Sequence, residues 1–438
     1  MPERRTIEVG ELARVEGEGA LHLTVEGDRV TDLRLEIYEP PRLFEAFLRG
    51  RRAAELPDLM ARICGLCPVA YQMSAVHAIE QAFGVEVDAG TRALRRLYYA
   101  GEWMESHLLH MMFLAAPDLL GLDDAFEIAR RARPEVERSL RVRRLGNRIL
   151  TLLGGRPVHP VGVCIGGFTR TPARADLAAL AEDLRAARAE AEALLRWFAS
   201  LPVPERPQPD LELVALRHPD EYPMNEGRLV SSAGLDAAPG AFAECFEESQ
   251  VPHSTALHCR RRGRGTYLVG PLARVTLNAD RLSPVARAAF DGLAPRFAVP
   301  DPAASVFARG IEVIQAIDDA LGAIEADVLP RGPAPWQPRA GVGHGATEAP
   351  RGTLHVSVET DAAGDVRKVQ IVPPTAQNLA RIEEDLRGLA PSLLSLSHDE
   401  ARRRCEMTIR DYDPCISCAT HFLRLSIERV DAGRGEAP

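Results

Sequence analysis

Two CxxC pairs lie almost a whole chain length apart. Cys64-Gly-Leu-Cys67 and Cys415-Ile-Ser-Cys418 contain four of the eight cysteines in 438 residues. Random placement of eight cysteines in such a chain would produce about 0.15 pairs of this spacing. Two thiolates three residues apart can converge on one soft metal ion, particularly at a turn or a helix start where backbone N–H groups favour negative sulfur. If the pairs share one ion, the two ends of the chain must fold together.

The spacing alone leaves the nature of this site open. Four thiolates suit zinc, an iron–sulfur cluster or a thiolate-bound nickel. A structural zinc site usually keeps its two pairs about 15–20 residues apart, and a thioredoxin-like dithiol requires a strand–helix context that neither pair shows. The other cysteines have no paired spacing, and we expect them to be buried structural thiols: Cys164, Cys245, Cys259 and Cys405.

Charge and hydropathy exclude several classes of protein. The net charge is −9, which argues against nucleic-acid binding. No run of about 18 apolar residues is present, so we expect no membrane span. The first residues, MPERRTIEVGEL, lack the apolar core of a signal peptide. We therefore expect a cytoplasmic protein, in which paired cysteines are more often metal ligands or redox groups than disulfides.

Alternating hydrophobicity predicts small β elements. Residues 5–38 alternate apolar and polar positions, which is typical of a small antiparallel sheet. Residues 352–374 contain two alternating runs around DAAGD and predict a hairpin. The Pro- and Gly-rich region 200–275 predicts loops with short strands, and 331–352 predicts a loop. Within that loop, GVGHGA lacks the preceding strand and the glycine spacing of a dinucleotide site, so we expect no dinucleotide to bind there.

Helical periodicity dominates the remaining sequence. It runs from Leu43 to about residue 200 and includes strong helices over 91–120 and 173–199. It resumes over 281–327 and again over 375–395, and the stretch after Asp413 also looks helical. The predicted fold class is α+β, mainly α, with a large helical core and small antiparallel β elements. Because the paired cysteines join the two ends, we expect one intertwined domain.

The segments around both pairs resemble the large subunits of nickel–iron hydrogenases. RICGLC at 62–67 resembles the first nickel-ligand motif of that family, and DPCISCATH at 413–421 resembles the second. Further segments look like family segments in family order: RVEGEG (14–19), RLFEAFLRGR (42–51), GPLAR (270–274), EAPRG (348–352) and VPPTAQN (372–378). The resemblance thus covers nearly the whole chain. The branch it looks most like is the cytosolic, bidirectional, NAD(P)-linked or sulfhydrogenase branch.

This resemblance implies a nickel–iron centre with carbonyl and cyanide ligands. All four cysteines would bind nickel, with Cys67 and Cys418 bridging to iron and Cys64 and Cys415 terminal on nickel. Nickel(II), iron(II), four thiolates and two cyanides carry a formal charge of about −2, so the pocket needs compensating donors.

The resemblance also assigns the surroundings of the diatomic ligands. Arg351 and Thr375 match residues that donate hydrogen bonds to the cyanides. Pro350 and Pro374 would line the apolar wall around these ligands. Asp413 is expected to pair with Arg351.

The implied reaction is heterolytic cleavage or formation of H2. Cys415 would be the first proton acceptor, with Arg351 as a rival, and Glu16 would relay the proton outward. We expect nearby Glu18 to be an ordinary solvated carboxylate.

Two positions depart from common family forms: Tyr71 stands where a histidine is usual, and Ser106 stands where many membrane-bound relatives carry an aspartate.

A second metal ion is implied near the C-terminal end. Glu45, His421 and the backbone carbonyl of Ile371 match ligands of magnesium or a similar divalent ion, which prefers hard oxygen ligands and water. Residues 1–421 would form the large-subunit domain. Residues 422–438 match an extension that a maturation protease removes in this family.

Electrons must be transferred away from the buried metal centre, and the sequence shows no further cluster-binding cysteine pattern. The resemblance therefore implies an iron–sulfur small subunit in a heteromultimer, and flavin- and NAD(P)-binding diaphorase subunits as further partners. Iron–sulfur clusters and flavin would reside only on those partners. Two alternatives stay open: a non-catalytic homologue such as the quinone-site subunit of complex I, which has lost the four cysteines, and a zinc-stabilised interaction protein.

Overall fold

Helices account for most of the regular structure in the computed structural model, which describes residues 4–27, 29–122, 125–206 and 208–420. The helices are α1 Phe44–Phe47, α2 Leu56–Met60, α3 Pro68–Phe83, α4 Ala89–Leu109, α5 Ala116–Leu120, α6 Ala125–Arg131, α7 Arg133–Gly154, α8 Arg174–Ala199, α9 Phe242–Cys245, α10 Pro271–Leu277, α11 Pro284–Gly292, α12 Ser305–Glu325, α13 Pro374–Leu393, α14 His398–Asp411 and α15 Ile416–Ala419. The strands are β1 Arg4–Val9, β2 Gly19–Glu26, β3 Arg29–Ile37, β4 Val163–Cys164, β5 Gly167–Phe168, β6 Leu213–Arg217, β7 Arg228–Ser231, β8 Asp236–Ala237, β9 Phe246–Ser249, β10 His258–Arg261, β11 Leu268–Val269, β12 Gly341–Ala349, β13 Gly352–Thr360 and β14 Val366–Val372.

The predicted fold class, α+β and mainly α, is confirmed. The alternating N-terminal segment forms an antiparallel sheet in the order β1-β2-β3, in which Leu21, Leu23 and Val25 of β2 are buried. The predicted hairpin is β13–β14. One pairing differs from the expected antiparallel pattern, because β11 pairs in parallel with β6 at the edge of the sheet β11-β6-β7-β8.

A layer of long helices forms the centre of the core. Helix α4 packs on α7 and α12, and α8 packs on the same two helices. The helix predicted over 91–120 is present, but its middle differs: α4 ends at Leu109, residues His110–Ala115 are π-helical, and α5 follows. Pro117 has no N–H to donate to a carbonyl four residues back, which accounts for the change in hydrogen bonding just before it.

The prediction of a loop over 331–352 was wrong for its second half, because residues 341–349 form strand β12. The strand lies directly against α3, and a Cβ atom at Gly343 or Gly345 would be 1.8 Å from the Ala78 carbonyl oxygen or 2.0 Å from that of Ser74. The glycines therefore permit close packing rather than a turn. They hold α3, whose first residue follows Cys67, tightly on the sheet β12-β13-β14.

Helix α14 was not predicted. It begins at a capping box in which Ser397 accepts the N–H of Glu400, and the Glu400 carboxylate accepts the N–H of Ser397.

Among the described helices, none combines the length and the apolar character needed to cross a bilayer.

Candidate metal centre

The two CxxC pairs meet in the interior of the folded chain. Cys64 and Cys67 lie in the turn between α2 and α3, and Cys415 and Cys418 lie around the start of α15. The Sγ atoms of Cys64 and Cys415 are 3.5 Å apart, and those of Cys67 and Cys418 are 3.6 Å apart. All four sulfurs lie within 4.8 Å of one another and are buried. Cys415 and Cys418 have sulfurs 2.8 Å apart, well beyond the disulfide length of about 2.05 Å, and none of these four described cysteines forms a disulfide.

This arrangement fits a metal bound by four sulfurs. Metal–sulfur bonds of about 2.3 Å in a tetrahedral site place neighbouring sulfurs about 3.8 Å apart, close to the two cross-pair distances. The N–H groups of Leu66 and Cys67 point at the Cys64 sulfur, at 3.3 and 3.4 Å. These donors favour a thiolate, as expected for a CxxC turn before a helix.

The pKa values of three of the four thiols shift in different directions. Hydrogen bonding with the Cys415 thiol lowers the pKa of Cys64. Burial raises the pKa of Cys415 and raises that of Cys418 to about 11. The protein alone thus favours few negative sulfurs in this space. A metal cation would supply the charge that holds all four as thiolates.

Glu16 lies beside Cys415 because the N-terminal segment runs along the second cysteine pair. The Cys415 thiol donates to Glu16 Oε2 at 3.0 Å, and the Ser417 N–H donates to the same oxygen at 3.1 Å. The Ile416 N–H donates to the Glu16 carbonyl at 2.9 Å. Gly17, with φ +90°, permits this approach, because a Cβ there would be 2.7 Å from the Ile416 Cβ. Glu18 is exposed.

Arg351 is buried beside the second cysteine pair. Its Nε donates to the Asp413 carbonyl at 2.8 Å, and one terminal nitrogen pairs with the Asp413 carboxylate at 3.1 Å. The other terminal nitrogen donates to Ser106 Oγ at 3.2 Å. Burial works against the charge of Arg351, but Asp413 and the sulfurs outweigh it and raise the pKa of the guanidinium. Ser106 thus keeps a hydrogen bond to this arginine without adding a second negative charge.

The remaining residues of the predicted pocket are buried near the same segment. Thr375 Oγ1 accepts the Cys415 N–H at 3.0 Å, which fixes the backbone of that ligand. Pro374 is the first residue of α13 and positions Thr375 in the first turn. Pro350 directly precedes Arg351, and its carbonyl accepts a hydrogen bond from Arg274 at 3.0 Å.

The predicted second ion site is described only in part. Glu45 Oε1 accepts the Ile371 N–H at 2.7 Å, so the structure brings these two residues together. His421 lies outside the described residues. Its neighbour Thr420 contacts the segment that contains Glu45, because the backbone N–H of Arg42 donates to the Thr420 carbonyl at 2.7 Å.

Three side chains at the centre had no role predicted from sequence. The Arg42 guanidinium donates to the carbonyl of Ile63 at 2.5 Å and to that of Ser417, so one side chain joins the two cysteine segments. Arg309 is fully buried, and its guanidinium lies 3.9 Å from the Asp413 carboxylate. The Tyr71 hydroxyl donates to the Cys418 carbonyl at 3.3 Å. Arg42 begins the RLFEAFLRGR segment, but nothing in its local pattern indicated these contacts.

Another group of potential ligands is less suited to a metal. His253, His258 and Glu383 have potential ligand atoms within 4.8 Å of one another. One Glu383 oxygen already accepts the N–H of Leu35 at 3.2 Å and contacts His253 at 2.7 Å.

The expectation of buried structural thiols holds for Cys259 and Cys405 but was wrong for two cysteines that are partly exposed, Cys164 and Cys245.

Sequence comparison gives a consistent result. A family model described as nickel-dependent hydrogenase matches residues 42–140 and 266–421. The protein named sulfhydrogenase 1 subunit alpha, from Pyrococcus furiosus, is 32% identical over 428 residues, which cover 96% of this chain and 98% of that protein. The protein named NAD-reducing hydrogenase HoxS subunit beta, from Cupriavidus necator, is 26% identical over 479 residues, covering 96% and 95%.

Structure comparison agrees with these matches. A chain of an NAD+-reducing [NiFe]-hydrogenase in the H2-reduced state superposes with a TM-score of 0.86 at 27% identity, covering 96% of this chain and 100% of that one. A [NiFeSe] hydrogenase from Desulfovibrio vulgaris Hildenborough superposes with a TM-score of 0.78 at 24% identity, with the same coverage, and shares the fold.

Proposed function

The chain belongs to the nickel-dependent hydrogenase family, and from that premise we propose that it cleaves and forms H2 at a nickel–iron centre held by Cys64, Cys67, Cys415 and Cys418. The convergence of these four buried sulfurs from opposite ends of the chain is the observation that carries the proposal. When bound, the metal pair with its carbonyl and cyanide ligands supplies the redox and Lewis-acid chemistry that polarises H2. Terminal and bridging roles are those given by the family resemblance.

The protein's own part in the reaction begins with a proton at Cys415. This thiolate takes a proton at Sγ and passes it to Glu16 Oε2, 3.0 Å away, without a large movement of either side chain. Glu16 is half-buried and is linked through the Ser417 N–H to a residue whose hydroxyl donates to Glu39 at 2.8 Å. Ser417 thus contacts two carboxylates, those of Glu16 and Glu39.

Arg351 holds positive charge against the anionic centre. Its contacts with Asp413 and Ser106 fix the plane of the guanidinium, so its orientation does not depend on a bound ligand. We assign to Arg351 and Thr375 the hydrogen bonds to the cyanides, and to Pro350 and Pro374 the apolar wall that keeps water away from the diatomic ligands. Arg351 also stays the rival candidate for the first proton acceptor.

Electron transfer requires partner subunits. Within the described residues, the four-cysteine group is the only all-cysteine cluster. We propose an iron–sulfur small subunit as the direct acceptor, and flavin- and NAD(P)-binding diaphorase subunits beyond it, in a cytoplasmic complex. The names of the sulfhydrogenase and NAD-reducing relatives support this proposal. Copurification with a tagged chain, followed by H2-dependent reduction of NAD or NADP, tests it.

Maturation and the second ion complete the proposal. We propose that residues 1–421 form the mature domain, that a protease removes 422–438, and that Glu45, His421 and the Ile371 carbonyl hold magnesium. The contact between Glu45 and Ile371 supports a shared site. Intact-mass measurement of the chain from active enzyme tests the cleavage. Loss of bound magnesium in Glu45→Gln tests the ligand set.

Metal analysis and infrared spectroscopy of the matured enzyme test the central proposal. We expect nickel and iron together, with bands from bound carbon monoxide and cyanide. Zinc alone would support an interaction protein, and a matured sample without metal would support a non-catalytic homologue. Either result would overturn the proposal. Cys418→Ser provides the matched variant, which should lose nickel and the infrared bands together.

A further inference from the structure

The helix that follows Cys67 begins without the usual cap. Cys67 is the N-cap residue of α3, and its side chain makes no capping hydrogen bond because its sulfur belongs to the four-cysteine group. Pro68 has no N–H, and the Tyr71 N–H already donates to the Cys67 carbonyl at 3.5 Å. The N–H groups of Val69 and Ala70 therefore need acceptors from elsewhere in the fold.

Glu102 of α4 supplies both acceptors. One carboxyl oxygen accepts the Val69 N–H at 2.6 Å, and the other accepts the Ala70 N–H at 3.3 Å. The side chain is fully buried. Across the part of the chain that the structure describes, these two amides are its only hydrogen-bond donors, and no cation pairs with it. Other buried glutamates do have such partners, as Glu80 has Arg95.

An unpaired buried carboxyl is costly in the core, and burial raises the pKa of Glu102. An apolar side chain would fill the same space without that cost, but it would leave two buried N–H groups unsatisfied directly behind a metal ligand. The position of Glu102 is also well fixed. Gly101 packs against Ile149 of α7, and the Trp103 indole donates to the Glu348 carbonyl at 3.0 Å.

We propose that Glu102 is a positioning residue for the metal centre: it fixes the first turn of α3 and thereby the place of the Cys67 sulfur opposite that of Cys418. This inference rests on the proposed function, because it assumes that Cys67 is a metal ligand.

Glu102→Gln in the complete, matured enzyme complex tests the proposal. Glutamine keeps the size of the side chain but offers one acceptor oxygen, and its NH2 group faces an N–H. We expect nickel release to a chelator to become about 10- to 100-fold faster. We also expect the carbon monoxide band to shift, because the Cys67 sulfur would be held less firmly in its place. Glu105→Gln is the control, since this neighbouring glutamate of α4 pairs with Arg143 instead, and its bands should match the wild type.

The outcomes separate this inference from the proposed function. A wild-type complex without nickel, iron or diatomic-ligand bands would overturn the proposed function whatever Glu102 does. Wild-type bands together with identical bands and nickel retention in Glu102→Gln would overturn only the positioning role. A variant that melts earlier but keeps wild-type bands would show a structural cap and nothing more. If Glu102→Gln does not fold, Glu102→Asp keeps the carboxylate but moves it, and unshifted bands there would equally overturn the inference.

Discussion

Replacing Gly345 with alanine should break the close packing between β12 and α3. A Cβ atom at this position would lie 2.0 Å from the Ser74 carbonyl oxygen, whereas ordinary contact begins near 3.4 Å. Strand and helix must therefore separate by about 1.4 Å, because the obstructing atom is backbone and cannot rotate away. Overpacking of this kind costs about 1–3 kcal/mol, and we expect a loss of about 3 kcal/mol in the free energy of unfolding.

Urea unfolding of the metal-free chain, followed by tryptophan fluorescence and circular dichroism, measures this loss. Gly388→Ala is the matched control, because Gly388 is exposed in α13 and a Cβ atom added there would have nothing within 4 Å. Alanine there should stabilise the helix by about 1 kcal/mol. The two substitutions should thus have opposite signs. A Gly345→Ala variant within about 0.5 kcal/mol of the wild type would refute the packing argument.

Three further perturbations test separate parts of the molecule. Glu16→Gln should lower H2 oxidation about 10²- to 10⁴-fold, because the amide cannot take a proton from Cys415, while the infrared bands stay unchanged; full turnover would contradict the relay. Arg42→Gln should speed nickel release to a chelator, since the hydrogen bonds from Arg42 to the carbonyls of Ile63 and Ser417 would be lost, and an unchanged rate would exclude that role. Burial lowers the pKa of His355 to about 3, below the unfolded value of about 6.5. The unfolded chain therefore binds more protons at this residue between these values, and His355 alone should lower the free energy of unfolding by about 2 kcal/mol from pH 7 to pH 5. Urea titrations should show a flatter pH dependence in His355→Gln, and a slope equal to that of the wild type would contradict the assignment.

The parts of the fold that were predictable depend on local periodicity. The alternation in β2 and the two runs of the β13–β14 hairpin follow from side chains that alternate between core and solvent. Strand β12 has no such pattern. Its glycines are required by close packing against the backbone of α3, which lies some 270 positions earlier in the chain. A glycine that permits close packing has the same local sequence signature as one in a turn. Only the tertiary contact distinguishes the two.

The residues of the metal centre also fall into a predictable and an unpredictable group. The CxxC spacing and the flanking segments were sufficient to indicate that Cys64 and Cys415 belong to one centre. Arg42 and Glu102 could not be found from sequence, since their partners are backbone carbonyls and amides that have no residue-specific signal. Glu102 in particular lies in a strongly helical stretch, where a glutamate is ordinarily solvent-exposed.

The separation of Cys64 and Cys415 by 351 positions has a consequence for how the molecule is made. A metal ion that is coordinated by both pairs crosslinks the chain and closes a loop that contains most of its residues. By polymer loop-closure entropy, such a crosslink penalises the denatured ensemble by about 6 kcal/mol. A nascent chain on the ribosome lacks half of these four sulfurs until Cys415 and Cys418 emerge. Capture of a metal by all four sulfurs therefore has to wait until both cysteine pairs have been synthesised.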